Sequence, residues 1–118
     1  KSDIISFHCK APKDGKPMIS KEHYKKIKPT AYIINAARGN IVDEKDLNEA
    51  LNENLIAGAA VDVFSKEPAK ENILFNNPKV VLTPHIAAST TEASIVVAEM
   101  VANQLSDFLL NGVKINTV

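Results

Sequence analysis

Three residues of types used in acid–base chemistry each follow an apolar run of the chain: Arg38, Glu67 and His85. An arginine offers a planar fork of N–H donors that matches a carboxylate, and a histidine titrates near neutral pH. A nearby carboxylate favours the charged form of an imidazole. Each residue also has an ordinary alternative, as a solvated arginine, a loop carboxylate or a hydrogen-bonded turn histidine. Brought together, the three could bind a carboxylate substrate and move a proton.

Residues 83–90 hold His85 between a short strand and a long helix. The apolar run 80–82 predicts a buried strand that ends just before the histidine. Ser89 and Glu92 have the spacing of a capping box, which predicts a helix N-terminus just beyond it. A titratable group between a strand end and a helix start is well placed for chemistry.

Apolar runs alternate with helical patterns along the whole chain. The predicted strands are residues 4–7, 31–35, 56–61 and 80–82, and the predicted helices are residues 21–28, 44–53 and 91–111. Three of the four runs are almost continuously apolar, which predicts a parallel sheet covered on both faces. The fold class is therefore α/β, with about four strands alternating with helices and a long helix at the end.

Single residues mark several turns and helix ends. Asp43 is a predicted N-cap, Asn54 and Gly112 are predicted left-handed residues after helices, and Gly39 is free to take a positive φ in its turn. In the last helix, apolar residues at helical spacing predict one core-facing side: Val97, Met100, Val101, Leu105, Phe108 and Leu109.

In an open parallel sheet, ligands bind along the edge formed by the carboxyl ends of the strands. Every predicted strand here delivers polar groups to that edge: His8-Cys9, Asn35 through Arg38, Asp62, and Thr83 through His85. A purely structural sheet needs no arginine, aspartate and histidine along one rim, so we expect a binding site there.

Composition excludes several classes of function. The 118 residues hold 14 basic and 14 acidic side chains, so no nucleic-acid or membrane partner is expected. A single cysteine, Cys9, rules out a disulfide framework and fits a reducing, cytoplasmic compartment. No apolar run is long enough to span a bilayer. His8 and Cys9 lack the further ligands that zinc requires, so no metal site is expected.

Four linked motifs resemble the D-isomer-specific 2-hydroxyacid dehydrogenases: Asn35-Ala36-Ala37-Arg38-Gly39, the run 58–64, Glu67-Pro68 and Thr83-Pro84-His85-Ile86. They occur in the family's order and spacing, and the resemblance covers essentially the whole chain. It implies half of a Rossmann-like doubly wound parallel sheet, an NAD cofactor and a small 2-hydroxy acid substrate.

The resemblance also implies roles for individual residues. Arg38 would hold the substrate carboxylate, His85 would exchange the proton of the 2-hydroxyl group, and Glu67 would pair with His85 and stabilise its charged form. The positions that match the family's cofactor contacts are Cys9, Ala36, Ala37, Arg38, Asp62, His85, Ile86, Ala87 and Ala88.

The sequence departs from the family in one loop and contains only part of the cofactor motif set. Lys10 and Gly15 stand where the family has a proline and a threonine. No Gly-x-Gly-x-x-Gly occurs, and no acidic residue follows one to bind the adenosine ribose. We therefore expect residues 1–118 to be one partial NAD-binding domain, without the first mononucleotide half and the substrate domain, and inactive alone. NADP stays open.

Residues 87–93 resemble the branch of the family that oxidises 3-phosphoglycerate, which favours this substrate and a role in serine biosynthesis. Other family dehydrogenases, acting on glyoxylate, hydroxypyruvate or D-lactate, are alternatives. An NAD(H)-sensing module, as in the related corepressors, is an alternative from another class. The resemblance implies a homodimer or a higher homo-oligomer.

Overall fold

The computed structural model describes residues 1–116, which fall within two compact units, Lys1–His85 and Ile86–Val118. The first unit contains a four-stranded parallel sheet in the order β1-β2-β3-β4. Its strands are β1 (Ile4–Phe7), β2 (Tyr32–Asn35), β3 (Gly58–Val61) and β4 (Val80–Leu82). All neighbouring pairs are parallel, which confirms the predicted α/β class. The register brings the last residues of all four strands to one edge of the sheet.

Two helices and one 3-10 turn complete the first unit: α1 (Lys21–Tyr24), the turn Gly39–Ile41 and α2 (Glu44–Asn52). The helix α1 is shorter than predicted, because after Tyr24 the chain continues in turns whose N–H groups bond three residues back, from Lys26 to His23 and from Ile27 to Tyr24. Asp43 caps α2 as predicted, since its carboxylate accepts from the N–H groups of Lys45 and Asp46. Asn54 has the predicted left-handed backbone, with φ +57°.

The core lies on one face of the sheet. The side chains that α2 contributes to the core are those at its predicted apolar positions, Leu47, Ala50 and Leu51. Ile33 and Val61 are buried in the same cluster from neighbouring strands. Burying each large aliphatic side chain contributes roughly 1.5–3 kcal/mol, so this layer fixes the strand ends relative to α2.

Within the unit Lys1–His85, only one of the two sheet faces that were predicted to be covered is covered. Tyr32 and Val81 point away from the core face and are 52% and 66% exposed. Successive side chains of a strand alternate between faces, so an apolar run predicts two buried faces only when layers pack on both. Within the unit Lys1–His85, the α2 layer covers one face.

The second unit contains the helix α3 (Thr91–Asn111). The helix ends before Gly112, whose φ of +65° confirms the predicted left-handed position. The predicted cap at Ser89 is wrong, because Thr90 caps the helix and its Oγ1 accepts from the N–H of Ala93 at 3.1 Å. The predicted core-facing side of α3 is also wrong for the described residues, because the helix buries none of its side chains.

The exposed helix α3 is long and apolar enough to meet the criterion for a membrane span, with a mean hydropathy of 1.3 over 18 residues. This overturns the prediction that no run is long enough. Length and composition alone are a weak indication of a span. Glu99 lies near the helix centre, where an acidic side chain opposes insertion by roughly 2.5–3.5 kcal/mol.

Candidate active site

His85 and Glu67 form a hydrogen-bonded pair, with His85 Nδ1 2.7 Å from Glu67 Oε2. Their side chains are 48% and 35% exposed, so solutes can reach both. The second carboxylate oxygen, Oε1, accepts from the backbone N–H of Phe64 at 2.9 Å. The Phe64 N–H and then the His85 hydrogen bond lower the pKa of Glu67. The carboxylate is therefore ionised at neutral pH, with both oxygens engaged.

The backbone of His85 is left-handed, with φ +56°. For a non-glycine residue this geometry costs about 1–3 kcal/mol and is concentrated at functional sites. The turn begins where β4 ends, and the N–H of Thr83 donates to the carbonyl of Val61 at 3.1 Å. The histidine is thus held by a sheet extension on one side and by Glu67 on the other.

Arg38 lies in the turn that follows β2. The buried side chain of Asn35 shapes this turn, because its Nδ2 donates to the Arg38 carbonyl at 3.0 Å and its Oδ1 accepts from Ala37 N at 3.3 Å. Arg38 Nη1 donates to the Ala37 carbonyl at 2.6 Å. Within residues 1–116, the other guanidinium N–H groups have no partner, so they can bind an anion.

Arg38, Glu67 and His85 line one cleft of about 300 Å³. Gly39 also lines it and is required for close packing, because a Cβ there would lie 2.0 Å from the carbonyl carbon of Phe64. Gly39 does not adopt the positive φ that its lack of a side chain leaves open to it. The turn that carries Arg38 thus lies against the segment that leads to Glu67, and the sheet edge brings together the three predicted catalytic side chains.

Asp62 is buried at the end of β3 and accepts a hydrogen bond from the hydroxyl of Thr83. Its backbone N–H donates to the carbonyl of Asn35 at 2.9 Å. These contacts link the ends of β2, β3 and β4, so a charge at Asp62 is fixed close to the cleft. Consistent with this proximity, Asp62 acts to raise the pKa of Glu67, against the larger lowering effects.

A second pocket of about 540 Å³ lies at the carboxyl ends of β1 and β2. Its lining is His8, Cys9, Lys10, Ala11, Ala36, Ala37 and Arg38. It has three basic side chains, no acidic one and several small alanines, which fits a phosphate-bearing dinucleotide. Four of the predicted cofactor contacts, Cys9, Ala36, Ala37 and Arg38, are brought together here.

The remaining predicted cofactor residues lie elsewhere. Asp62 and His85 are in the first unit, whereas Ile86, Ala87 and Ala88 belong to the second unit. There Ile86 offers its carbonyl to the N–H of Ser89 at 2.9 Å. Among the side chains of residues 1–116, no three His, Cys, Asp or Glu residues converge as a metal site would require.

An apolar cavity of about 650 Å³ also borders the His85–Glu67 pair. Its walls include Phe64 and Phe75, whose rings pack edge to face with centroids 5.9 Å apart, and Leu82. One side of the ion-pairing groups is therefore apolar, which strengthens their mutual attraction relative to bulk water.

Sequence reasoning missed the polar residues of α2 that hold the β3–β4 connection. Glu44, Asn48 and Asn52 recur at intervals of four, so they share one face of the helix. All three accept hydrogen bonds from this connection. The periodic polar spacing was a signal that could have identified them.

Comparison with known proteins identifies one family of similar sequences. The family model for the D-isomer specific 2-hydroxyacid dehydrogenase, NAD binding domain, matches residues 1–87. The chain is 44% identical over 107 residues to D-3-phosphoglycerate dehydrogenase of Bacillus subtilis, covering 91% of this chain and 20% of that protein. It is 48% identical over 108 residues to glyoxylate reductase of Thermofilum pendens, covering 89% of this chain and 31% of that protein.

A similar solved structure is that of D-lactate dehydrogenase with NAD+ from Lactobacillus jensenii. The TM-score is 0.78 at 32% identity, covering 99% of this chain and 39% of that one. The chain thus spans a fifth to two fifths of the length of these three proteins. With its motifs, its parallel sheet and the family match over residues 1–87, the chain belongs to the NAD-binding domain family of the D-isomer-specific 2-hydroxyacid dehydrogenases.

Proposed function

We propose that this chain is part of an NAD-dependent oxidoreductase that transfers a hydride between the nicotinamide cofactor and a small D-2-hydroxy acid or 2-oxo acid. The observation that carries the proposal is the cleft in which Arg38 lies with the hydrogen-bonded pair of His85 and Glu67. This set supplies an anion-binding fork and a proton-transfer group within one small volume.

Each of the three cleft residues has a role that follows from the chemistry of its side chain. The guanidinium N–H groups of Arg38 that do not donate to Ala37 bind the substrate carboxylate and polarise its 2-oxygen. Glu67 occupies Nδ1 of His85, which leaves Nε2 to take the proton of the 2-hydroxyl group in oxidation and to return it in reduction. The ionised Glu67 stabilises the imidazolium that forms. When bound, the nicotinamide supplies the hydride chemistry.

The cofactor site includes the basic pocket at the ends of β1 and β2. Cys9, Ala36 and Ala37 line it with small surfaces, and Lys10 and Arg38 supply positive charge. Asp62, buried beside the cleft, is placed to accept from an amide group. Ile86, Ala87 and Ala88 complete the proposed contact set.

The favoured substrate is 3-phosphoglycerate. Its support is the resemblance of residues 87–93 and the 44% identity to a protein named as D-3-phosphoglycerate dehydrogenase. Similarity to glyoxylate reductases and a D-lactate dehydrogenase keeps those substrates as alternatives. The proposal includes a cytoplasmic homo-oligomer of at least two copies, supported by a free, exposed Cys9 and by the exposed apolar side chains of α3.

A steady-state assay of the full-length protein that contains this chain tests the proposal. We expect NADH formation with NAD and 3-phosphoglycerate. Activity on glyoxylate, hydroxypyruvate or lactate, with none on 3-phosphoglycerate, would contradict the proposed substrate but support the proposed reaction class. Nanomolar NADH binding without turnover on any of these acids would favour the sensing module and contradict the enzymatic proposal.

A further inference from the structure

Side chains on the polar face of α2 bind the connection between β3 and β4. Among them, Glu44 binds the part of the connection nearest to Glu67. Glu44 accepts three hydrogen bonds from this connection. Its Oε1 accepts from the backbone N–H of Ser65 at 2.7 Å, and its Oε2 accepts from the Ser65 hydroxyl and from Nδ2 of Asn72, both at 2.9 Å. A carboxylate that accepts three hydrogen bonds holds this part of the connection firmly, since hydrogen bonds to an ionised group are stronger than those between neutral groups.

Asn72 links Glu44 to a core residue, Leu74. Its Oδ1 accepts from the backbone N–H of Leu74 at 3.0 Å, and the side chain of Leu74 is fully buried. At the far end of the same face, Asn48 and Asn52 both accept from Nδ2 of Asn77, at 2.8 and 3.3 Å. The connection is therefore fastened along the length of α2.

The Glu44 contacts lie directly beside the group that holds Glu67. Ser65, which Glu44 binds, follows Phe64, whose backbone N–H donates to Oε1 of Glu67. The other oxygen of Glu67 faces His85 Nδ1. Two hydrogen bonds, joined by the backbone of Phe64 and Ser65, thus connect Glu44 with Glu67 of the proposed catalytic pair.

We propose that Glu44 is a positioning residue for this site: by fixing Ser65 it aims the Phe64 N–H at Glu67 and so holds the carboxylate against His85. The inference rests on the proposed function and deepens it. Glu44 takes no part in proton transfer. Its effect on turnover is exerted through the position and the ionisation of Glu67.

Three variants of the full-length protein separate this role from ordinary stabilisation. Glu44→Ala removes all three acceptor bonds. Glu44→Gln keeps an amide oxygen for Ser65 but presents an amide donor in place of the second oxygen. Asn52→Ala is the matched control, because it removes a bond from the same face at the end far from Glu67.

Two readouts decide the outcome: the acid limb of the kcat–pH profile and the titration of the Glu67 carboxyl carbon by ¹³C NMR. In Glu44→Ala the pKa of Glu67 should rise towards its ordinary value. Oxidation needs the neutral imidazole, and a carboxylate held less closely against His85 stabilises the imidazolium less, so the acid limb of the oxidation rate should move to lower pH. A displacement of about 1 Å can also lower kcat by up to about 100-fold. Glu44→Gln should show an intermediate shift, with NADH affinity unchanged in both variants.

Asn52→Ala should lower the midpoint of thermal unfolding. It should leave the acid limb of the kcat–pH profile and the titration of Glu67 unchanged. Equal behaviour of Glu44→Ala and Asn52→Ala, with Glu67 titrating as in the wild type, would overturn the proposal. If Glu44→Ala does not fold, Glu44→Gln decides. Because the NMR titration needs no turnover, it tests the positioning role even if the wild type proves inactive, which would contradict only the enzymatic proposal.

Discussion

The Nδ1 atom of His85 lies 2.7 Å from Oε2 of Glu67, and the other oxygen of that carboxylate accepts from the backbone N–H of Phe64. The pair therefore has a fixed orientation although both side chains are partly exposed. Fixing the ring through one nitrogen leaves the other for a substrate hydroxyl, which is the geometry that proton exchange requires.

Arg38→Lys tests whether a planar fork is needed in the cleft. Lysine keeps the charge but cannot bind a carboxylate through two parallel N–H groups. The loss of one charge-assisted bond, roughly 1.5–3 kcal/mol, predicts a fall in kcat/KM of about 10- to 100-fold. Steady-state kinetics of the full-length protein measures it. Unchanged kcat/KM would mean that Arg38 does not hold the substrate carboxylate.

The lowered pKa of Glu67 predicts that the free energy of unfolding depends on pH. Its pKa is lowered in the folded state from an ordinary value of 4.5, so between the two values the unfolded chain binds more protons. The stabilisation is therefore fully present above the unfolded value and is lost as pH falls through the folded value. Urea unfolding of the wild type and Glu67→Gln should show a difference that shrinks towards acid pH. A difference independent of pH would contradict the coupling.

Gly39→Ala tests the close approach of the Arg38 turn to Phe64. A Cβ placed 2.0 Å from a carbonyl carbon cannot be accommodated without moving the backbone. Overpacking of this kind costs about 1–3 kcal/mol, and the turn should move away from Glu67. Denaturant unfolding measures the loss, with Lys45→Ala on the exposed side of α2 as the control. A loss no larger than the control's would refute the packing argument.

Lys10→Glu tests the electrostatic character of the pocket at the ends of β1 and β2. The substitution reverses the charge of Lys10, which with Arg38 makes the pocket positive, while leaving the catalytic cleft residues in place. Weaker NADH binding, with a reduced dependence on salt, is expected because phosphate groups would lose a cationic partner. Lys70→Glu, outside the pocket lining, changes net charge equally and controls for it. Equal affinities of the two variants would argue against phosphate binding there.

The sheet edge could be predicted from sequence because parallel strands with short apolar runs place their carboxyl ends together. The positions of Arg38 and His85 followed directly from that rule. The contact between Phe64 N–H and Glu67 could not be predicted, because the β3–β4 connection has no periodic pattern and its path depends on the polar face of α2. The left-handed backbone of His85 likewise depends on the contacts of its turn.

The apolar spacing in α3 shows a different limit. Val97, Val101 and Leu105 repeat at intervals of four, and such spacing ordinarily marks a core face. In the described residues this face is exposed. Periodicity therefore identified the helix and its bounds, but a pattern of apolar residues does not specify the surface that covers them.

The central claim is that His85, held by Glu67, exchanges the substrate proton in a cleft where Arg38 binds the carboxylate. The most direct measurement is single-turnover NADH formation by the full-length protein with a saturating 2-hydroxy acid, comparing the wild type with His85→Asn. The account predicts that the variant binds NADH normally and loses about 10²- to 10⁴-fold in rate, the usual contribution of a general base. A wild-type rate in His85→Asn would contradict it.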